Sequence, residues 1–115
     1  KINIPSGSCF FVDINWFKSV NFFDENTFLY EEEHILFEKV LSSDKTVLLS
    51  TNNYVIHLGQ KSSFINSIER RNIFLKSFKL YMTKYRSYNN LFAEMLIKYI
   101  VWSEYIIRIF KRKKI

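Results

Sequence analysis

The sequence contains very little glycine, proline or cysteine, and each shortage restricts the structures open to it. Pro5, Gly7 and Gly59 are the only residues of the first two kinds, so few turns can use special backbone angles, and helices are favoured over many strands. A single cysteine, Cys9, excludes an internal disulfide and fits a reducing compartment. The sequence starts at Lys1 rather than at Met, and we expect a fragment, a processed product or a trimmed piece of a longer protein.

Apolar and basic residues, by contrast, are plentiful. Hydrophobic residues make up 48% of the 115 positions and aromatic residues 18%, which predicts a folded domain rather than a disordered chain. The formal net charge is +6, which suits an acidic partner such as a nucleic acid, an anionic membrane surface or a phosphorylated ligand.

Three short apolar runs predict strands. They cover residues 8–12, 45–50 and 53–58 and lie next to turn-forming residues. Cys9 lies in the first run, where we expect it to be an inert part of the core. Because helical patterns surround these runs, the chain is predicted to have a mixed, helix-rich α/β fold.

Helical periodicity accounts for most of the remaining pattern. Helices are predicted over residues 14–20 with Asp13 as the N-cap, over 30–42, over 63–86 with Ser63 as the N-cap, and over 91–110. In the second helix, the predicted buried face is formed by Leu36, Phe37, Val40 and Leu41. His34 lies opposite this face and is expected to be solvated.

The last predicted helix is long enough to raise the question of a membrane span. About 20 residues cross a bilayer core, but each central charge would cost roughly 2.5–3.5 kcal/mol. Glu94 and Lys98 stand four residues apart in the order that favours an ion pair, and so do Glu104 and Arg108. We therefore expect this helix to pack against protein or to lie in a membrane interface, not to span it.

The acidic segment 23–33 (FDENTFLYEEE) contains the best candidates for chemistry. Three consecutive glutamates at the start of a helix are typical of solvated side chains that interact well with the helix dipole. A carboxylate at the rim of a pocket can instead take the proton from an acceptor hydroxyl during sugar transfer. Taken alone, the segment favours the first interpretation.

Three sequence blocks in a particular order favour the second interpretation. They are residues 7–12 (GSCFFV), 17–33 (FKSVNFFDENTFLYEEE) and 55–62 (VIHLGQKS). In this order and spacing the blocks resemble bacterial family 2 glycosyltransferases, including the rhamnosyltransferase-like ones. The basic tail, with Lys76-Ser77 and Lys84-Tyr85, is also similar to the tails of these enzymes.

The resemblance implies a fold, a reaction and partners. Residues 1–62 would form the acceptor-side part of a GT-A-type α/β sandwich with few strands, and residues 63–115 a basic extension of amphipathic helices. The implied reaction transfers a sugar, with inversion, from a nucleotide-sugar to a cell-surface glycan or a lipid-linked acceptor. Such enzymes of polysaccharide biosynthesis would act in the bacterial cytoplasm, peripherally at the inner face of the cell membrane. The intact enzyme would use Mg²⁺ or Mn²⁺.

Residue roles also follow from the resemblance. The family's acidic pair falls on Glu32 and Glu33, and either would be the general base. Four more residues would contact or shape the substrate site: Gly7, Ser8, Asp24 and His57. His57 would lie near the donor diphosphate and the metal, although its residue type and position alone favour a structural role.

The sequence departs from the family pattern in several places. Asn21-Phe22 replaces a pair of glycines, so this turn is expected to take another shape. Glu33 stands where Asp is common, and Ile35 where a further acid is frequent. No Asp-x-Asp motif and no N-terminal nucleotide-binding half occurs in the 115 residues. We therefore expect this chain alone to bind neither donor nor metal, and to be inactive by itself.

A second hypothesis involves no catalysis. The basic run 111–114 (KRKK) directly follows an aromatic, amphipathic helix that contains Tyr99, Trp102 and Tyr105. This arrangement predicts attachment to an anionic membrane surface ahead of nucleic-acid binding, for which no reading motif is present. The chain would then be a membrane-surface or protein-interaction module, and unpaired strand edges would favour self-association.

Overall fold

The computed structural model describes residues 4, 6–57 and 65–112, with side chains of the last helix described as far as residue 110. The described elements are α1 (Ile14–Ser19), α2 (Glu32–Ser42), α3 (Ser67–Leu80), a π-helical turn (Tyr81–Tyr85) and α4 (Asn90–Arg112). The π turn continues α3 without a break, so the two form one rod.

No β-strand occurs in these described ranges, so the predicted α/β fold and the partial GT-A sandwich are wrong for this part of the chain. The runs 8–12, 45–50 and 53–57 are irregular, and only Val47 takes part in an isolated bridge. Leu58, the end of the third predicted strand, lies outside the described residues. A strand exists only where a second strand completes its hydrogen bonds, and an apolar run does not supply that partner.

The apolar side chains of these runs are exposed instead of forming a core. Phe11 is 98% exposed, Leu48 75% and Ile56 80%. Cys9 is a free and exposed thiol, which corrects the expectation that it belongs to the core.

Local interactions set the first residue of each of the first two helices. Asp13 is the N-cap of α1, as predicted, because its Oδ1 accepts a hydrogen bond from the Trp16 N–H at 2.8 Å. The second helix begins at Glu32, two residues later than predicted. The cause is a left-handed backbone at Tyr30 and Glu31, with φ angles of 69° and 68°.

The buried face of α2 is formed by Ile35, Leu36 and Val40. The prediction was right for Leu36 and Val40, but it missed Ile35, and Leu41 is exposed. The π turn packs against α2, so the side of α2 that meets this turn is buried and the neighbouring side is not.

The long helical rod begins at Ser67 and changes hydrogen-bond pattern near its end. Asn66 is the N-cap, since its Oδ1 accepts from two N–H groups of the first turn at 2.9 and 3.1 Å. The predicted cap, Ser63, lies outside the described residues. At the other end, the Arg86 N–H donates to the Tyr81 carbonyl at 3.1 Å, a wide turn of the kind that is frequent at functional sites.

Hydrogen bonds join this rod to the first half of the chain. The Ser77 hydroxyl donates to the Leu29 carbonyl at 2.7 Å, and the Tyr81 hydroxyl donates to Glu38 Oε1 at 3.0 Å. Ser77 is buried, so its bond satisfies a polar group that would otherwise be costly. The basic helical half is therefore in direct contact with the acidic segment and with α2.

The last helix, α4, packs on α3 through Ala93, which is fully buried. Its two acidic residues bond across the interface: Lys79 Nζ lies 2.9 Å from Glu94 Oε1, and Arg71 Nε lies 2.6 Å from Glu104 Oε2. These contacts replace the predicted pairs with residues four positions along α4. Among the described helices, none combines the length and apolarity needed to cross a membrane.

Candidate active site

The three consecutive glutamates at the end of the acidic segment lie where a strained backbone turns into α2. Tyr30 and Glu31 both have a positive φ, and neither is glycine. Such angles cost free energy and persist only where surrounding contacts enforce them, often at functional sites. The helix then places Glu32 and Glu33 in its first turn, close to the positive end of the helix dipole.

Glu31 is the most buried of the three carboxylates. Its side chain is 8% exposed, and its Oε2 lies 3.0 Å from Nδ1 of His34. Burial raises the pKa of Glu31; nearby His34 opposes this effect, while the charges of Glu32 and Glu33 add to it. His34 is only partly exposed and its ring lies 5.6 Å from that of Tyr81, so it is not the freely solvated residue that the helix pattern predicted.

Glu32 also lies in an environment that disfavours its charge. Burial raises its pKa, its own backbone N–H lowers it, and the neighbouring charge of Glu33 raises it further, with a net upward direction. A carboxylate with a raised pKa is a better proton acceptor than an ordinary one. Glu32 is therefore suited chemically to general-base work.

Glu33 contacts the first sequence block. Its Oε1 accepts a hydrogen bond from the Gly7 N–H at 3.1 Å, although the two residues are 26 positions apart. Gly7 has no side chain, and a Cβ built there would collide with the Glu33 carboxylate. Glycine is thus the residue that allows the turn to approach this carboxylate so closely.

The turn around Gly7 is exposed and held by two serines. The Ser6 and Ser8 hydroxyls are 2.6 Å apart, and the Ser8 N–H donates to the Ser6 hydroxyl at 3.3 Å. The predicted residues Gly7 and Ser8 therefore lie beside Glu33, where an acceptor could reach both the turn and the carboxylate.

Asp24 lies in a different environment, bound by the basic half of the chain. It is 8% exposed, and its Oδ2 accepts hydrogen bonds from Lys84 Nζ at 2.7 Å and from the Tyr85 hydroxyl at 2.6 Å. Its Oδ1 accepts from the Asn26 backbone and side chain at 3.0 and 2.6 Å. All four of these bonds favour the charged form.

The pKa values at Asp24 reflect this cluster. Burial acts to raise the pKa of Asp24, but the bonds from Lys84, Tyr85 and Asn26 outweigh it and hold the pKa well below its usual range. Burial and the bond to Asp24 raise the pKa of the Tyr85 phenol. Asp24 thus joins the acidic loop to the π turn and has no free oxygen suited to a substrate.

A cavity of about 460 Å³ opens beside this cluster. Its lining includes Asp24, Lys39, Lys84 and the turn at Asn21 and Phe22. The turn is held by Lys39, whose Nζ donates to the Phe22 carbonyl at 2.6 Å.

The same turn keeps backbone angles that favour glycine. Asn21 and Phe22 have φ angles of 60° and 53°, the left-handed region that costs a residue with a Cβ about 1–2 kcal/mol. The expectation that this turn differs in shape from that of the family, which has two glycines here, stays a prediction.

His57 is not brought to either cluster. It is exposed at the end of the run 53–57 and forms no hydrogen bond or ion pair with another described residue. The structure thus brings Gly7 and Ser8 to Glu33, and places Asp24 in a separate cluster with Lys84 and Tyr85.

The described residues do not form a metal centre. Within residues 4, 6–57 and 65–112, no three His, Cys, Asp or Glu side chains converge as metal ligands. The Mg²⁺ or Mn²⁺ that the resemblance implies for the intact enzyme stays a prediction.

Sequence reasoning missed the partners of the acidic residues rather than the acidic residues themselves. Glu31 and His34 pair at a spacing of three residues, a contact that can be predicted from sequence spacing. The contact of Lys84 and Tyr85 with Asp24 spans about 60 positions, and the only signal for it was the tail's similarity to the tails of family 2 enzymes.

The comparisons with known proteins add no relative. No protein-family model, no curated protein and no solved structure matches this chain.

Proposed function

We propose that this chain supplies the acceptor side of an inverting family 2 glycosyltransferase. In the whole protein, a nucleotide-sugar would donate its sugar to a cell-surface glycan or a lipid-linked acceptor. The reaction would take place in the bacterial cytoplasm, with the enzyme held peripherally at the inner face of the cell membrane. A divalent metal would be held by parts of the whole protein other than the described residues.

The observation that carries this proposal is the contact between Glu33 and Gly7. It joins the first sequence block to the second through a hydrogen bond of 3.1 Å between residues 26 positions apart. An acceptor-side site requires such a meeting of a substrate turn and a carboxylate, because the base must lie within hydrogen-bond reach of the acceptor hydroxyl.

The backbone strain around the acidic segment supports the same proposal. Two left-handed pairs bracket the loop: Asn21 and Phe22 on one side, Tyr30 and Glu31 on the other. Four such residues within eleven positions are costly, since each adds about 1–3 kcal/mol. A loop that served only as a connection would have no need to hold this shape.

Contacts from the tail support the assignment independently. Ser77 bonds the Leu29 carbonyl, and Lys84 and Tyr85 bond Asp24. These three residues belong to the two tail dipeptides that resemble the tails of family 2 enzymes. Their role here is to fix the acidic loop at both ends, so that the glutamates after it are oriented.

We assign the base to Glu33 and a supporting role to Glu32. Gly7 engages one oxygen of Glu33, which orients the carboxylate and directs it to the exposed turn where an acceptor hydroxyl would lie. As the glycosidic bond forms, Glu33 would take the hydroxyl proton. Glu32 would support this step from the adjacent position in the first turn of α2.

The test uses the whole protein and measures nucleoside diphosphate release from a panel of UDP-, dTDP- and GDP-sugars, with a lipid and glycan extract as acceptor. Glu33→Gln should reduce turnover by roughly 10²–10⁴-fold, the usual contribution of a general base. Glu32→Gln should have a smaller effect. The matched control is Glu69→Gln, an exposed glutamate in the first turn of α3.

Each outcome tests the assignment of the general base to Glu33. Retained turnover in Glu33→Gln with a large loss in Glu32→Gln would move the base to Glu32. Retained turnover in both folded variants would overturn the site. Failure of the unmodified protein to release a nucleoside diphosphate from any of the donors would favour the non-catalytic module instead.

A further inference from the structure

The outward face of α4 carries a continuous apolar stripe. Its members recur at helical spacing and are all more than half exposed: Leu91, Met95, Tyr99, Trp102 and Phe110. The stripe runs for about 28 Å along the helix, given a rise of 1.5 Å per residue. A soluble surface helix normally has polar residues on the face that points away from the core.

The packing of α4 fixes this stripe on the outside. Ala93 on the opposite face is fully buried against the α3 rod. The ion pairs from Lys79 to Glu94 and from Arg71 to Glu104 hold the helix at two points along its length. Rotation of α4 to bury the stripe would break both pairs and expose Ala93.

The same ion pairs engage both acidic residues of α4. Glu94 and Glu104 are the only acidic residues of this helix, and both are bonded to cations of α3. Lys98 and Arg108 are exposed and form no salt bridge within the described residues. In the sequence, the basic run 111–114 follows directly.

We propose that this face of α4 is a docking surface for an anionic lipid bilayer, with the helix lying in the plane of the interface. Leucine, methionine and phenylalanine would enter the boundary of the acyl chains, and the Trp102 indole and Tyr99 phenol would lie at the headgroups. Lys98, exposed at the edge of the stripe, would meet the lipid phosphates. An unpartnered face that combines apolar, aromatic and basic residues is typical of interfacial helices.

Charge argues against a second copy as the occupant. A symmetric pairing through this stripe would bring the Lys98 residues of two chains towards each other. Glu94, the acidic residue that interacts with Lys98, is already bonded to Lys79, and like charges disfavour such a contact. An anionic surface complements the same cations.

The inference rests on the peripheral location in the proposed function, but it needs nothing from the sugar-transfer chemistry. Vesicle binding is measured without donor or acceptor, so the two proposals fail separately. Loss of turnover with normal vesicle binding counts against the first, and normal turnover without vesicle binding counts against the second.

The test is flotation of the full chain with vesicles of phosphatidylcholine, with or without added phosphatidylglycerol. The unmodified chain should float with the anionic vesicles and be released at high salt. Trp102→Ser should weaken this binding roughly tenfold or more, because the indole contributes a large apolar area. Tyr99→Ser should weaken it less. The matched control is Tyr54→Ser, a tyrosine that is 89% exposed in another part of the chain.

Charge variants test the electrostatic part. Lys98→Glu should weaken binding, whereas Lys76→Glu changes the net charge equally at an exposed site elsewhere and should leave most of the binding. Circular dichroism of each variant checks that helix content is kept.

Three results would overturn the proposal. The first is equal binding to neutral and anionic vesicles. The second is binding that Trp102→Ser leaves unchanged in a folded chain. The third is a dimer in sedimentation velocity that Trp102→Ser dissociates, in a chain that does not bind vesicles, since the occupant would then be a second copy.

Discussion

The two regions on either side of Ser43 share an apolar character but differ in what they do with it. In α2, Ile35 is 1% exposed, whereas Ile56 in the run 53–57 is 80% exposed. The helix satisfies its own backbone hydrogen bonds, so it needs only one apolar neighbour, which the π turn provides. The later runs would need a partner strand as well as a neighbour. Within the described residues these runs have no partner strand, so their apolar side chains stay exposed.

The largest effect on the free energy of unfolding is expected when the same isoleucine-to-alanine substitution is made in each of the two regions. Ile35→Ala should lower the free energy of unfolding by about 2–5 kcal/mol, because it removes buried methyl groups and leaves a cavity. Ile56→Ala should change it by no more than about 0.5 kcal/mol, as is usual for surface sites. Urea unfolding followed by far-UV circular dichroism measures both. Equal losses would mean that the run 53–57 is buried in solution.

The next largest effect on stability is expected from removing the charge of Asp24, which binds Lys84 and Tyr85 of the π turn. Asp24→Asn should lower the free energy of unfolding by about 1.5–3 kcal/mol at neutral pH, the usual value of hydrogen bonds to a charged group. Asp44→Asn is the control, since Asp44 is exposed and its positive φ suits asparagine.

The pH dependence of this effect has a definite sign. The folded state holds the pKa of Asp24 below its ordinary value, so the carboxylate stabilises the fold above the unfolded pKa of about 3.9. This stability is lost as the pH falls through that value towards the folded pKa. The difference in the free energy of unfolding between Asp24→Asn and the unmodified chain should therefore become smaller in acid. A difference that stays constant with pH would show that the charge of Asp24 is not what matters.

A smaller effect is expected at the junction of the two halves. Ser77→Ala removes the bond to the Leu29 carbonyl and should cost about 1 kcal/mol. Ser103→Ala removes a bond to the Ile100 carbonyl within one helix and should cost less, because that carbonyl keeps its helical partner. If both cost the same, the Ser77 contact does not hold the halves together.

The helices could be read from the sequence because their signals are local. Asp13 as a cap, the boundaries of α4 to within two residues, and Leu36 and Val40 as buried residues all follow from spacing and cap chemistry. Hydrogen bonds inside a helix depend on residues four apart, so the necessary partners are in the same window of sequence.

The predictions that were wrong depend instead on contacts between residues far apart in the sequence. Whether residues 8–12 pair as a strand depends on a partner that no local pattern names. Glu94 was assigned to Lys98 by spacing but bonds Lys79 on another helix, because packing brought a better-placed cation. At the candidate site, the two glutamates were found from the motif, but the contact of Glu33 with Gly7 needed the folded chain.

The smallest effect on stability is expected at Gly7, where the exposed region meets the packed one. Gly7→Ala should change the free energy of unfolding by no more than about 0.5 kcal/mol, because the atom that a Cβ would meet is the mobile end of the Glu33 side chain. The carboxylate must move aside, however. A displacement of about 1 Å at a reacting group can cost roughly a hundredfold in rate, so we expect such a loss of turnover in the whole protein.

A double-mutant cycle decides whether Gly7 acts through Glu33. If the methyl group works by displacing the carboxylate, then Gly7→Ala should cost little more once Glu33→Gln has removed the base, and the two effects should not add. Additive losses would mean that Gly7 serves the acceptor by a separate route, for instance through its own N–H. An unchanged turnover in Gly7→Ala would instead show that the contact between the first block and α2 has no part in catalysis, and would leave Glu32 as the better candidate for the base.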